Sequence, residues 1–251
     1  MNAKAYAATT VRILEQLKAD HRTVGMIVAV PALLMTLLYF IYQNYPGAPN
    51  QPRLFDRVAI SMLGILPFVL MFLITAIAMQ RERASGTLER LMTTPLSKLD
   101  LLAGYGSAFS FAAAIQAAVA CTVTFWFLGL TSQGSVALVI LVAMVDAALG
   151  VALGLLASAF ARTEFQAVQF MPIIVLPQFF LCGLLVPRNL LPGWLEAISN
   201  VLPLSYAVDA LNQVATQTGA TGQMWRDLAV VAGFAIVALC LAAATLRRRT
   251  P

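Results

Sequence analysis

Six apolar stretches, at residues 24–42, 58–79, 101–130, 136–161, 165–187 and 228–246, limit what this chain can fold into. Apart from one aspartate in the fourth, none of them carries a charge. Each reaches the roughly 20 residues that a helix needs to cross a hydrocarbon core of about 30 Å. Lipid offers no water to satisfy backbone amides and carbonyls, so such segments must close their hydrogen bonds internally, as helices. Composition agrees, with 60% apolar residues, 11% charged residues and a mean hydropathy of +0.83. The chain therefore reads as an all-α integral membrane protein with six transmembrane helices. It is expected to form a single membrane domain over 1–251, with a leader at 1–23, the bundle at 24–246 and a short tail at 247–251. Thr-Ser-Gln-Gly-Ser at 131–135 is a turn-forming link that makes the third and fourth spans an antiparallel hairpin.

Orientation follows from the basic residues. Twelve Lys and Arg fall on one set of connections: the leader, the loop between spans two and three, Arg162 and the tail at 247–249. Only Arg53, Arg57, Arg188 and Arg226 fall on the other. The positive-inside rule then places both termini in the cytoplasm, in a multi-pass protein of the cytoplasmic (inner) membrane. The net charge of +5 needs no further explanation, and no nucleic-acid partner is expected. Within the leader, Val11, Leu14, Leu17 and Lys18 follow one helical stripe while Arg12, Glu15 and Arg22 lie elsewhere, the pattern of a helix lying at the lipid interface. The first span is read as retained, because the residues after it, Asn-Tyr-Pro-Gly-Ala-Pro, contain no clear small-x-small cleavage signal.

Residues 80–101, QRERASGTLERLMTTPLSKLDL, carry seven charges between two apolar spans. Gly86 permits a sharp turn, and Pro95 biases Thr94 out of helical geometry. Between them Leu88, Leu91 and Met92 fall at i, i+3, i+4, giving a helix of about two turns one apolar face. Glu89 and Arg90 point the other way, and Thr87 is a plausible N-cap. Ser97 and Asp100 have the spacing of a capping box for the third span. So short a helix is unstable alone in water and needs a surface, either lipid headgroups or a protein partner.

Asp146 lies ten residues, about 15 Å, into its span, near the membrane midplane, where a bare carboxylate is costly. Gly150, Gly154 and Ser158 follow at four-residue intervals, a close-approach surface for another helix. The third span has its own stripe of Gly104, Ala108, Ala112, Gln116, Ala120 and Thr124, which suggests its hairpin partner as the neighbour. Either Asp146 fastens a neighbouring helix, with Gln116 a candidate bonding partner, or it touches substrate or gating elements. On the opposite side, residues 188–200 place Leu191, Trp194, Leu195 and Ile198 on one face, with Pro192 suited to a helix start, and 203–214 forms a second short segment.

Several chemistries are excluded or weakened. Cys121, Cys182 and Cys240 all lie within spans, and His21 is the only histidine, so neither a disulfide framework nor a protein-built metal site is expected. None of the three lysines follows a glycine as a phosphate-binding loop requires. A stand-alone intramembrane enzyme would need convergent catalytic groups at depth, and the spans hold one aspartate and no histidine.

Arg81-Glu82-Arg83, then Gly86-Thr87-Leu88-Glu89-Arg90-Leu91, then Thr94-Pro95-Leu96-Ser97 resembles the cytoplasmic signature of type-2 ATP-binding-cassette exporter permeases, the class of daunorubicin-resistance and nodulation export subunits. The stretch Gly183-Leu-Leu-Val-Pro187, Leu191-Pro-Gly-Trp-Leu195 and Leu202-Pro-Leu-Ser-Tyr206-Ala-Val-Asp209 is similar to that group's external segment before the last span. The resemblance implies a permease subunit without its own ATPase site, exporting an amphipathic or hydrophobic cargo that is drug-like or lipid-like; a lipid-linked glycan stays open. It implies as partners two copies of a cytoplasmic ATPase subunit, which bind ATP and Mg, and a second permease chain, identical or related, among membrane lipids. Arg81 to Leu91 and Pro95 would form the ATPase-coupling helix. Pro187, Trp194, Glu196, Pro203, Tyr206 and Asp209 would belong to a re-entrant external gate. Asn212 departs from the drug-exporting branch, whose members often have arginine there.

The charge imbalance yields a direct test of topology. On a cysteine-free background, a cysteine at position 133 should react with an impermeant thiol reagent from outside, and one at position 93 only from inside. The reverse labelling would invert the orientation.

Overall fold

The computed structural model describes residues 3–45, 53–93 and 97–245, and among them every regular element is helical. In chain order the helices are α1 (Ala3–Ala19), α2 (His21–Tyr42), α3 (Leu54–Ala84), α4 (Thr87–Met92), α5 (Lys98–Thr122), α6 (Val136–Ser158), α7 (Glu164–Leu181), α8 (Gly193–Ser199), α9 (Pro203–Thr216) and α10 (Gly222–Thr245). A π-helical turn, Val123–Phe127, extends α5, and a 3-10 turn, Arg188–Leu190, precedes α8. Six of these, α2, α3, extended α5, α6, α7 and α10, are long and apolar enough to cross a membrane.

Their ends differ from the stretches of unbroken apolar sequence because backbone geometry ignores where charge begins. Helix α3 runs to Ala84, so Arg81 and Arg83 sit on the span itself. Helix α7 stops at Leu181 instead of reaching residue 187. Gly183, at φ +93°, turns the chain there, where its missing Cβ removes the steric cost. Helix α10 begins at Gly222, well before the apolar run. The leader is helical as expected, but its bundle-facing side carries Thr9 and Ile13, while Val11 is exposed. Asp20 ends α1 and caps α2, accepting from the Thr23 amide at 3.1 Å and its hydroxyl at 2.6 Å.

At one end of the bundle lie α1, α4, the C-terminus of α6 and the start of α7; at the other lie the hairpin 131–135, α8 and the start of α10. The most extensive packing joins α3 to α6, not the hairpin neighbours α5 and α6. A Cβ built on Gly150 would lie 2.3 Å from the carbonyl oxygen of Phe68, and one on Gly154 would lie 2.5 Å from that of Phe72. The glycine stripe of span four therefore seats against span two. A turn joins only the ends of its two helices; the closest approach goes to the neighbour whose backbone the missing side chains admit. Gly104 on α5, in the stripe expected to meet α6, packs instead against Thr9 of α1.

Helix α9 is buried along Leu204, Ala207, Val208, Leu211 and Val214. Leu211 reaches Gly64 of α3, ten residues and so about 15 Å into that span. Helix α9 thus folds back among the spans, with Val214 packed against Gly134 of the hairpin turn.

Gly150→Ala should lower the stability of the folded chain by about 1–3 kcal/mol, since neither backbone can move away freely. Gly233→Ala, where nothing lies within 4 Å of the added carbon, is the control. Equal melting temperatures for the two variants in detergent would show that the α3–α6 contact is looser than described.

Candidate functional site

The charged segment is built into the bundle more tightly than its composition suggests. Gly86, at φ +71°, is itself the N-cap of α4; Thr87 is the first helical residue, its hydroxyl 2.9 Å from that of Ser85. The left-handed turn costs glycine little, which allows α3 to pass into α4 within two residues. Leu88 is only 5% exposed and joins Met79, Leu101 and Leu102 in the core, with Leu91 packed beside them. Leu88 and Leu91 thereby find their surface on their own chain, while the Met92 side chain lies outside the described residues. Arg90 is left exposed on the outer side. The Glu89 side chain and the whole of Pro95 lie outside the described residues. Ser97 accepts from the Asp100 amide at 3.0 Å, as the capping box requires.

The three charges before α4 have separate roles. Arg81 makes a two-pronged ion pair with Glu164, the first residue of α7, at 3.0 and 3.1 Å. Glu82 turns inward to Arg12 of α1 at 3.7 Å, and Arg12 donates to the Tyr105 hydroxyl on α5 at 2.6 Å while lying over that ring. Arg83 is half-buried, with Nε and one terminal nitrogen unpaired among the described residues. Sequence reasoning missed Glu164, Arg12 and Tyr105. Arg12 and Tyr105 lie 93 residues apart, so no local pattern signals their contact.

Asp146 is completely buried where α3, α6 and α9 meet. Its Oδ2 is 3.2 Å from where a Gly64 Cβ would stand, beside Leu211. Neither carboxyl oxygen has a hydrogen-bond partner among the described residues, and neither polar atom of buried Gln116 has one. The considered Asp146–Gln116 hydrogen bond is therefore absent. Asp146 does not fasten the hairpin: the Gly64 gap admits its carboxyl toward α3 and α9.

The region expected to cap the pathway centres on Arg188. Its guanidinium pairs with Asp209 and bonds Asn200, and lies over the Tyr206 ring, whose hydroxyl donates to the Asn200 carbonyl at 2.7 Å. Pro187 precedes the Arg188–Leu190 turn, and Pro203 opens α9. Ser199 bonds the Leu181 carbonyl at 2.8 Å and Gln178 accepts from the Leu204 amide at 3.3 Å, tying α8 and α9 to α7. Trp194 is exposed and Glu196 half-buried, and neither joins the Arg188 cluster.

A family profile described as ABC-2 type transporter matches residues 5–215. The chain is 27% identical over 168 residues to ABC transporter G family member 20 of Dictyostelium discoideum, covering 67% of this chain and 23% of that protein. It is 24% identical over 168 residues to the "Probable multidrug ABC transporter permease YbhR" of Escherichia coli strain K12, covering 67% and 46%. With nodulation protein J of Rhizobium meliloti strain 1021 it shares 24% identity over 169 residues, covering 67% and 64%. The matched stretch thus spans less than half the length of the first two relatives and under two thirds of the third.

Because Asp146 has no hydrogen-bond partner to lose among the described residues, Asp146→Leu should melt at or above the wild-type temperature: replacing an unsatisfied buried polar group by an apolar one of similar size removes a desolvation cost. A fall of more than about 4 °C, on the order of 1 kcal/mol for a chain of this size, would reveal a fastening contact.

Proposed function

This chain belongs to the ABC-2 type transporter family, and on that premise we propose that it is the membrane-spanning permease of an ATP-driven exporter for an amphipathic or hydrophobic, drug-like or lipid-like cargo. A separate pair of ATPase subunits binds and hydrolyses ATP with Mg on the cytoplasmic side of the inner membrane, where α1, α4 and both termini lie. The chain supplies the path and carries no ATPase site of its own. The observation that supports this reading best is α4 itself: a short helix whose Leu88 and Leu91 pack into its own bundle and whose Arg90 side is turned outward at the end where basic residues gather. The charged side, not the leucine side, meets the ATPase. Displacement of α4 passes directly into α3 through the two-residue turn at Gly86, and from α3 into α6 through the glycine contact.

A second permease chain, identical or related, completes the pathway. The face of α7 formed by Phe165, Gln169, Ile173 and Phe180 turns away from the bundle. A glutamine on such a face is unfavourable against lipid and is accommodated by another protein chain. The cap at Arg188, Asp209 and Tyr206 closes the outer end in the described state.

Arg90→Glu should leave membrane insertion and melting unchanged yet lose co-purification of the ATPase subunit and its stimulated hydrolysis. Leu88→Asp should instead lower the stability of the chain itself by at least about 2 kcal/mol through lost burial. Normal coupling in the Arg90→Glu variant would exclude the exposed side of α4 as the contact.

A further inference from the structure

A cavity of about 360 Å³ opens at the α4 end of the bundle, between α1, α2, α3, α5 and the start of α7. Its walls and its mouth differ in chemistry. Ile74 and Phe109 line the inner part and Met26 the exposed side; Ile74 lies seven residues before Arg81 of the mouth, so the cavity reaches about 10 Å inward, a third of the hydrocarbon core. The mouth is lined by Asp20, Glu82 and Glu164 against Arg81, and Arg12 pairs with Glu82 from behind, which leaves one carboxylate in excess. Glu164 is engaged by Arg81. Glu82 directs one oxygen toward Arg12, while its Oε2 is buried without a hydrogen-bond partner among the described residues. Hydrogen bonds from the Thr23 hydroxyl and amide hold the Asp20 carboxyl below its ordinary range, so it stays ionised at neutral pH.

An apolar pocket about 10 Å deep with an acid-rich rim fits a molecule with one cationic head and one apolar body. We propose that this cavity is the loading site at which an amphipathic cation enters the permease from the cytoplasmic leaflet. The assignment rests on the export reading for its direction, but the site is defined by its own geometry. Its occupant is a small cationic cargo, because the excess negative charge disfavours anionic amphiphiles and gives a zwitterionic lipid headgroup no net attraction.

The test needs neither ATP nor the ATPase, so its failure is separable from failure of the export reading. The full-length chain is placed in nanodiscs of phosphatidylcholine, and binding of rhodamine 6G, an amphipathic cation, is followed by fluorescence anisotropy beside rhodamine B, its carboxylate-bearing analogue. Rhodamine 6G should bind above the level of empty nanodiscs and more tightly than rhodamine B. Asp20→Asn, which keeps the cap on α2, and Glu164→Gln should each weaken it about two- to fivefold, as loss of one partly screened charge pair does. Met26→Trp, at an exposed wall position, should occlude the cavity and abolish binding while the melting temperature stays unchanged. Equal affinity for the two dyes, or rhodamine 6G binding that is indifferent to all three variants, would overturn the site. Loss of ATP-driven export with dye binding intact would instead count against the export reading alone.

Discussion

The seating of α6 against the backbone of α3 is the contact on which the other parts of the bundle depend. In lipid, one apolar side chain gains little by leaving hydrocarbon for another, so helices associate through close van der Waals approach. Gly150 and Gly154 supply that approach at the carbonyls of Phe68 and Phe72. Helix α3 then joins the described polar sites: Arg81 and Glu82 at one end, Gly64 beside Asp146, and Asp56 at the other end, where it is bonded by Arg53 and by the Thr131 hydroxyl at 2.6 Å. A helix fixed along its length to a neighbour transmits displacement instead of absorbing it.

Gly64 has a second consequence. The space it leaves is filled by Leu211 from α9 and by the Asp146 carboxyl from α6. Helix α9 is held by Arg188 on one side and by Gln213 on the other, which donates to the buried Asp227 of α10 at 2.9 Å. Asp146 is therefore sealed beneath a cap that is itself held by polar contacts, and any movement of α9 changes what the carboxyl faces. A buried acid is costly to keep, and among the described residues it receives no hydrogen bond in return.

The local features were legible in the sequence. Span number, the short helix after Gly86, the Ser97 cap and the helix after Pro192 each follow from residues within a turn or two of one another, where periodicity and capping chemistry act. Partner choice was not legible. The glycine stripe was expected to meet α5 because the hairpin joins them, yet it meets α3, since contact is decided by which backbone can come closest. Arg81 and Glu164 are separated by 83 residues, and Arg12 and Tyr105 by 93, so no local pattern links them. The sequence left open whether α4 would rest on lipid headgroups or on a protein partner. Only the packed core, with Leu88 beside Leu101 and Leu102, shows which face remains available.

Photo-crosslinking from α4 tests the central claim most directly. A photoreactive residue placed at position 90 in the assembled complex should capture the ATPase subunit. The same probe at position 88 should capture only the permease itself. Capture of the ATPase from position 88 and none from position 90 would contradict the outward orientation of the charged face, and with it the route by which ATP hydrolysis is proposed to reach the spans.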